Sequence, residues 1–154
     1  MYFTGGTFTM SNGAQLNGLG TYELDNGQLT VNTAVSISTF NQGRGSLAGS
    51  GTVTITAALS WTGGDEYGTG ITGGFGSTVV AGSATLSISG SNSKNLRASR
   101  TLTNQGTGTW TGTGPFQIGE SAVFNNAGSF TVSNSDDLIL HTFGSIGVIN
   151  NTGV

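Results

Sequence analysis

Bulky apolar residues alternate with Thr, Ser or another polar residue in short stretches of this chain, at Thr7–Met10, Thr21–Leu24, Thr52–Ile55, Thr85–Ile88 and Ser129–Val132. A period of two puts one set of side chains on a buried face and the other in water, so each stretch predicts a short β-strand. Turn formers follow at Asn12-Gly13, Asp25-Asn26-Gly27, Gly82-Ser83, Gly119-Glu120-Ser121 and Asn134-Ser135. Gly and Asn there reach positive φ or close a local side-chain hydrogen bond. Taken alone, Asp25-Asn26-Gly27 fits a two-residue antiparallel hairpin. A helical reading fails on glycine: 28 Gly are spread along the chain, and each costs about 1 kcal/mol against Ala in a helix interior. The fold class expected is all-β.

A repeat selects the architecture. Phe124-Asn125-Asn126-Ala127-Gly128 is matched by Ile149-Asn150-Asn151-Thr152-Gly153, by Leu102-Thr103-Asn104-Gln105-Gly106, and by a fourth copy at Phe40-Asn41-Gln42-Gly43. Inside the units runs a second pattern of paired short strands, as in Tyr22-x-Leu24 then Leu29-x-Val31, and Phe130-x-Val132 then Leu138-x-Leu140. The Gly-rich residues 63–76 fit the period poorly. Periods of about 20–25 residues suit single coils of a β-solenoid and are too short for propeller blades. The expectation is a parallel β-solenoid (a β-helix) spanning 1–154 as one domain, with about six to seven coils and a rod length of roughly 30 Å. The expected crossover is right-handed, and neither end carries a pattern for a capping helix. The inward set expected includes Phe8, Tyr22, Leu24, Trp61, Trp110 and Phe116, with Phe124, Phe130, Val132, Leu138 and Leu140 toward the C-terminus.

Composition agrees with such a rod and removes several functions. Gly with 24 Thr, 18 Ser and 13 Asn makes up more than half of the 154 residues, and only 7% are charged. A net charge of −3 leaves no basic footprint for nucleic acid and no polybasic membrane-surface site. No apolar run approaches the roughly 20 residues of a spanning helix. Zero cysteines exclude disulfides, thiolate metal sites and a Cys nucleophile. Met1-Tyr2-Phe3-Thr4-Gly5-Gly6 has neither the basic nor the apolar region of a signal peptide. A removed signal, a piece of a longer protein and an intracellular protein all remain open on that evidence.

The runs LTNQGTGTWTGTGPF (102–116) and AVFNNAGSFTVSN (122–134) resemble the Gly/Thr/Asn-rich parallel β-helix repeats of large bacterial surface proteins, adhesins and autotransporter passengers. The resemblance covers most of residues 40–154. It implies an extracellular or cell-surface structural role, and it carries over no catalytic residues.

Candidate chemistry is sparse. Asp136-Asp137 followed by His141 superficially resembles the acid/base set of polygalacturonase-type β-helix enzymes, but Gly-His-Gly, Asn-Thr-Asp and Arg-x-Lys are all missing. An exposed turn is the expected reading there. Asp65-Glu66 lacks the glycine-rich nonapeptide of calcium-binding β-rolls and reads as a solvated loop. Gly5-Gly6 and Gly73-Gly74 do not precede Lys-Ser/Thr, so no phosphate loop is present. Asn150-Asn151-Thr152 is a formal glycosylation sequon. The Thr-x-Thr pairs Thr7/Thr9, Thr52/Thr54 and Thr109/Thr111 would order water as ice-binding solenoids do if they stacked on one face.

The ends carry the remaining signal. The chain closes on Ile149, Asn150, Asn151 and Thr152, an element elsewhere followed by Ser129–Val132. It opens, after a few residues, on Thr7, Phe8, Thr9 and Met10, which read as that missing continuation. Subunits stacked head to tail or a segment of a longer solenoid both explain this, and with Met1 leading the chain, assembly is the expectation. The protein expected is thus a non-enzymatic filament or adhesin-stalk module needing no cofactor. Its partner is a second copy of itself, with surface glycans as a further partner class.

Overall fold

The alternating stretches become strands three to ten residues long, with a two-residue strand at the start, and every ladder between them is parallel. The computed structural model describes residues 1–16, 18–69, 75–133 and 145–154, and the backbone of 138–140. In chain order the first strands are β1 (Tyr2–Phe3), β2 (Thr7–Met10), β3 (Thr21–Leu24), β4 (Gln28–Val31), β5 (Val35–Gln42) and β6 (Ser46–Ala48). Then come β7 (Thr52–Trp61), β8 (Gly64–Tyr67), β9 (Ser77–Val80), β10 (Thr85–Ile88), β11 (Lys94–Arg97) and β12 (Thr101–Asn104). The last are β13 (Thr107–Trp110), β14 (Phe116–Ile118), β15 (Val123–Asn126), β16 (Ser129–Val132), β17 (Leu138–Leu140) and β18 (Val148–Asn151).

These strands wind into three faces. The first is a seven-stranded sheet, β2-β4-β6-β8-β11-β14-β17. The second stacks the front half of β5, the front half of β7, then β9, β12, β15 and β18. The third stacks β1, β3, the back halves of β5 and β7, then β10, β13 and β16. Strands β5 and β7 run through the corner between the second and third faces, with a register shift between Ile37 and Thr39. The chain is therefore an all-β parallel solenoid of about six turns, with no helix among the described residues. Asp25-Asn26-Gly27 turns a corner and makes no hairpin: Asn26 takes φ 63° between β3 and β4, which belong to different faces.

Coil length varies more than the sequence period suggests. Asn32 and Ser50 are equivalent at a spacing of 18 residues, while Asp65 and Asn95 are equivalent at 30. The corner loops absorb the difference, and the strands keep their stacking. Residues 64–67, part of the stretch that fits the repeat poorly, are a strand like the others. Leu102, Phe124 and Ile149 do stack in one column. Phe40 stacks on Tyr22 in the third face, so the fourth copy of the repeat sits on a different side of the coil.

Inward columns form the core. Leu29 and Leu47, Val35 and Val53, Ile37 and Ile55, and Phe40 and Leu59 are stacked pairs, all buried. Edge-on aromatic contacts link the later coils: Phe116 meets Trp61 at 5.5 Å, Trp110 at 6.0 Å and Phe124 at 5.8 Å, and Phe124 meets Phe130 at 5.1 Å. The expectation that all named inward residues are buried needs correction at both ends. Phe8 is 37% and Val132 55% exposed, and Phe130 is half-buried. They stand in inward columns but belong to outermost rungs, so no further rung of described residues covers them. The side chains of Leu138 and Leu140 lie outside the described residues.

Gly49 shows how closely coils approach. Its φ is +106°, and a Cβ there would run into the Val31 carbonyl one coil away. Leu47, two residues earlier, is fully buried between Leu29 and Glu66. Leu47→Ala should lower unfolding free energy by about 2–5 kcal/mol, the range for deleting a packed leucine side chain. Urea denaturation followed by circular dichroism would measure it.

Candidate functional site

Polar chemistry is concentrated in the middle coils, inside the core. Strand β8 follows the period-two rule, so Asp65 points outward and Glu66 inward, into the column of Leu47 and Leu96. Glu66 is fully buried, which overturns the solvated-loop reading of Asp65-Glu66. Thr78 also takes an inward position, and Arg100 enters the core just before β12. Arg100 Nε donates to Glu66 Oε2 at 3.0 Å, and its Nη2 donates to Thr78 Oγ1 at 3.0 Å. The Thr78 hydroxyl donates in turn to Glu66 Oε2 at 2.5 Å. Glu66 Oε1 has no partner among the described residues.

Lys94, the only lysine, is likewise buried, its Nζ donating to the Gly114 carbonyl at 2.8 Å and to the Ser89 carbonyl at 3.3 Å. These buried charges were missed because composition marks Glu, Lys and Arg as surface residues. The usable signal was alignment of Gly-Asp-Glu-Tyr (64–67) with Lys-Asn-Leu-Arg (94–97), which puts Glu66 in a leucine position.

The predicted end residues occupy opposite extremities of the described rod. Thr7, Phe8, Thr9 and Met10 form the first rung of the first face, with Thr7 to Thr9 exposed and Met10 half-buried. Phe8 rests edge-on against Phe3, centroids 5.2 Å apart. Ile149, Asn150, Asn151 and Thr152 belong to the last rung of the second face, Ile149 half-buried and the others exposed. Thr7–Met10 and Ser129–Val132, equated by the repeat, lie in different faces: β2 stacks under β4, and β16 on β13. The third-face counterpart of Ser129–Val132 in the first rung is the segment containing Tyr2–Phe3.

At the last rung the core opens as a cavity of about 220 Å³, with Trp110, Phe116, Phe124, Phe130 and Ile149 among its walls. Beside it runs an amide ladder. Asn104 Nδ2 donates to Asn126 Oδ1 at 2.8 Å, and Asn126 Nδ2 donates to Asn151 Oδ1 at 2.7 Å. An outer ladder adds Asn150 Nδ2 to Asn125 Oδ1 at 2.9 Å.

The Thr-x-Thr pairs do not share a plane. Thr7/Thr9 lie on the first face, Thr52/Thr54 on the second, and Thr109 on the third, with Thr111 beyond the strand end. A different array does stack: Ala58/Ser60, Thr85/Ser87, Thr107/Thr109 and Ser129/Thr131 fill two outward columns over four rungs of the third face. Asp136, Asp137, His141 and Gly73-Gly74 lie outside the described residues. Compared with known protein families, curated proteins and solved structures, the chain matches none.

The buried pair yields a clear test of its energetics. Arg100→Met alone leaves Glu66 charged and unpaired in the core and should cost about 3–5 kcal/mol. The double variant Glu66→Leu/Arg100→Met removes both charges and should regain most of that loss. Chemical denaturation of the three proteins would read the difference.

Proposed function

We propose that this chain is a structural solenoid module that grows by parallel stacking of further coils on its end rungs, as an extracellular filament or the stalk of a surface adhesin. The observation that carries this reading is the last rung. It combines an apolar recess, the outer edge of β18, on which no further strand lies among the described residues, and an amide ladder in which Asn151 accepts from Asn126 as Asn126 accepts from Asn104. Exposed sheet edges and apolar surface of this kind recruit another strand unless something blocks them, and the described residues that line this recess carry no charge.

A second copy supplies a fitting occupant. Its Phe3 belongs to the same inward column as Val132, so head-to-tail stacking would lay the Phe3–Phe8 pair over the recess. A heterologous contact of this type repeats without closing and builds a fibre. The extracellular setting draws its support from the resemblance of residues 102–116 and 122–134 to bacterial surface repeats.

Negative-stain electron microscopy and sedimentation of the purified chain should show unbranched filaments that lengthen with concentration. Val132→Asp, at a half-exposed position, should leave the circular dichroism spectrum unchanged and abolish the filaments. Monodisperse particles at every ionic strength would overturn the assembly.

A second reading rests on the third face. The array from Ala58 to Thr131 is parallel and free of charged side chains, with methyl and hydroxyl groups repeating at about 4.8 Å along the axis. Such a surface is suited to holding ordered water, hence to binding ice. Thermal hysteresis of the wild-type chain that disappears in Thr107→Lys/Thr109→Lys would establish it. Absence of hysteresis in the wild type would remove it.

A further inference from the structure

The first face carries, on its outer side, a feature that neither stacking nor the core requires. Its outward residues fall into two columns. One runs Thr7, Gln28, Ser46, Asp65, Asn95, Gln117, hydrogen-bonding side chains on six successive rungs. In the other, Tyr67 is followed by Arg97, and Gly119 comes next because it follows Ile118 as Arg97 follows Leu96. The column thus falls from a guanidinium to no side chain at all. Next to that step lies an open cleft of about 300 Å³ with Asp65, Asn95, Arg97, Gln117 and Glu120 on its walls.

The walls are held before any ligand arrives. Asn95 Nδ2 donates to Asp65 Oδ1 at 2.7 Å, and Arg97 Nη2 donates to Asp65 Oδ2 at 3.0 Å. The guanidinium lies over the Tyr67 ring at 5.3 Å, and the Tyr67 hydroxyl is anchored on Gln28 Oε1 at 2.8 Å. The rim is built from two stacked turns in which four non-glycine residues, Ala98, Ser99, Glu120 and Ser121, adopt φ of 51–62°. Left-handed non-glycine backbone is unfavourable and gathers where a surface must be shaped. Asn95 Oδ1 lacks a donor but is buried, so the accessible group left unspent is Gln117 on the cleft wall, whose side chain makes no hydrogen bond among the described residues.

The ligand class follows from these groups. The side chains converging on the cleft are polar, which disfavours lipids. Asp65 and Glu120 outnumber Arg97, which disfavours phosphates and uronates. What remains is a ligand whose closely spaced neutral groups each donate and accept, repeating along a line at about the rung spacing of 4.8 Å. We propose that this cleft and the polar column below it bind a neutral, hydroxyl-rich polysaccharide chain lying along the solenoid axis. The proposal does not rest on filament formation, and it holds for a monomer or a stacked rod.

The test is a panel of neutral hexasaccharides (β-1,4-linked glucose, N-acetylglucosamine and mannose, and α-1,4-linked glucose) with polygalacturonate as the anionic control, titrated by calorimetry. At least one neutral member should bind, and Gln117→Ala should weaken it at least tenfold. The melting temperature should stay unchanged, because Gln117 supports nothing else, and Gln117→Asn should retain part of the affinity. Three results would each overturn the proposal: no neutral member binding at millimolar concentration, binding that Gln117→Ala leaves intact, or preference for polygalacturonate.

Discussion

In a parallel solenoid every side chain has the equivalent residue of the next coil directly above it, at the spacing of one backbone hydrogen bond. That constraint governs this molecule more than any single contact does. A column admits only residues that tolerate each other at close range, so like charges are excluded and identical small polar groups are favoured. Three pairs of opposite charges meet across coils, Arg44 on Asp25 at 2.9 Å, Arg97 on Asp65 and Arg100 on Glu66, while Lys94 is held by backbone carbonyls. The Asp25 carboxyl is held below its ordinary range by hydrogen bonds from Arg44. That pairing therefore favours the fold above the ordinary carboxylate pKa and is lost as acid protonates Asp25. Both partners are solvent-exposed, so the contribution is small.

The interior follows the same rule with different residues in its two halves. The column that begins Ile37, Ile55, Val80 continues as Asn104, Asn126, Asn151. Hydrocarbon packs it at first; amide hydrogen bonds replace packing later. Between these halves sits the Glu66–Thr78–Arg100 cluster, where the coil is longest. Sliding the stack by one coil would bring Glu66 against hydrocarbon and leave both charges unpaired, a larger penalty than misplacing a leucine. The cluster thus opposes wrong stacking in a sequence whose repeats otherwise resemble each other.

Most of the architecture was legible from alternation and from the Phe-Asn-Asn-Ala-Gly repeat, because a strand of four residues records its inward face directly. Three things were not. Phe40-Asn41-Gln42-Gly43 looks like the repeat but lies on another face, since all three faces draw on one vocabulary of Thr, Asn and a single large apolar residue. The strand at 64–67 was hidden by glycines and by two acids, whose burial depends on an arginine 34 residues further along. The outer cleft was invisible for a related reason: it exists only when coils of unequal length align Asp65, Asn95 and Gln117.

Lys94 has a practical consequence. It is the only lysine and it is inaccessible, sandwiched between the coils that contain Gly64 and Phe116. Amine-directed reagents therefore find no side-chain target on the native rod, and acylation of the Lys94 amine, once it is exposed and has given up its proton to solvent, becomes a clock for how often the middle of the stack breathes apart. A molecule that carries its own buried reporter needs no engineered label for following local opening.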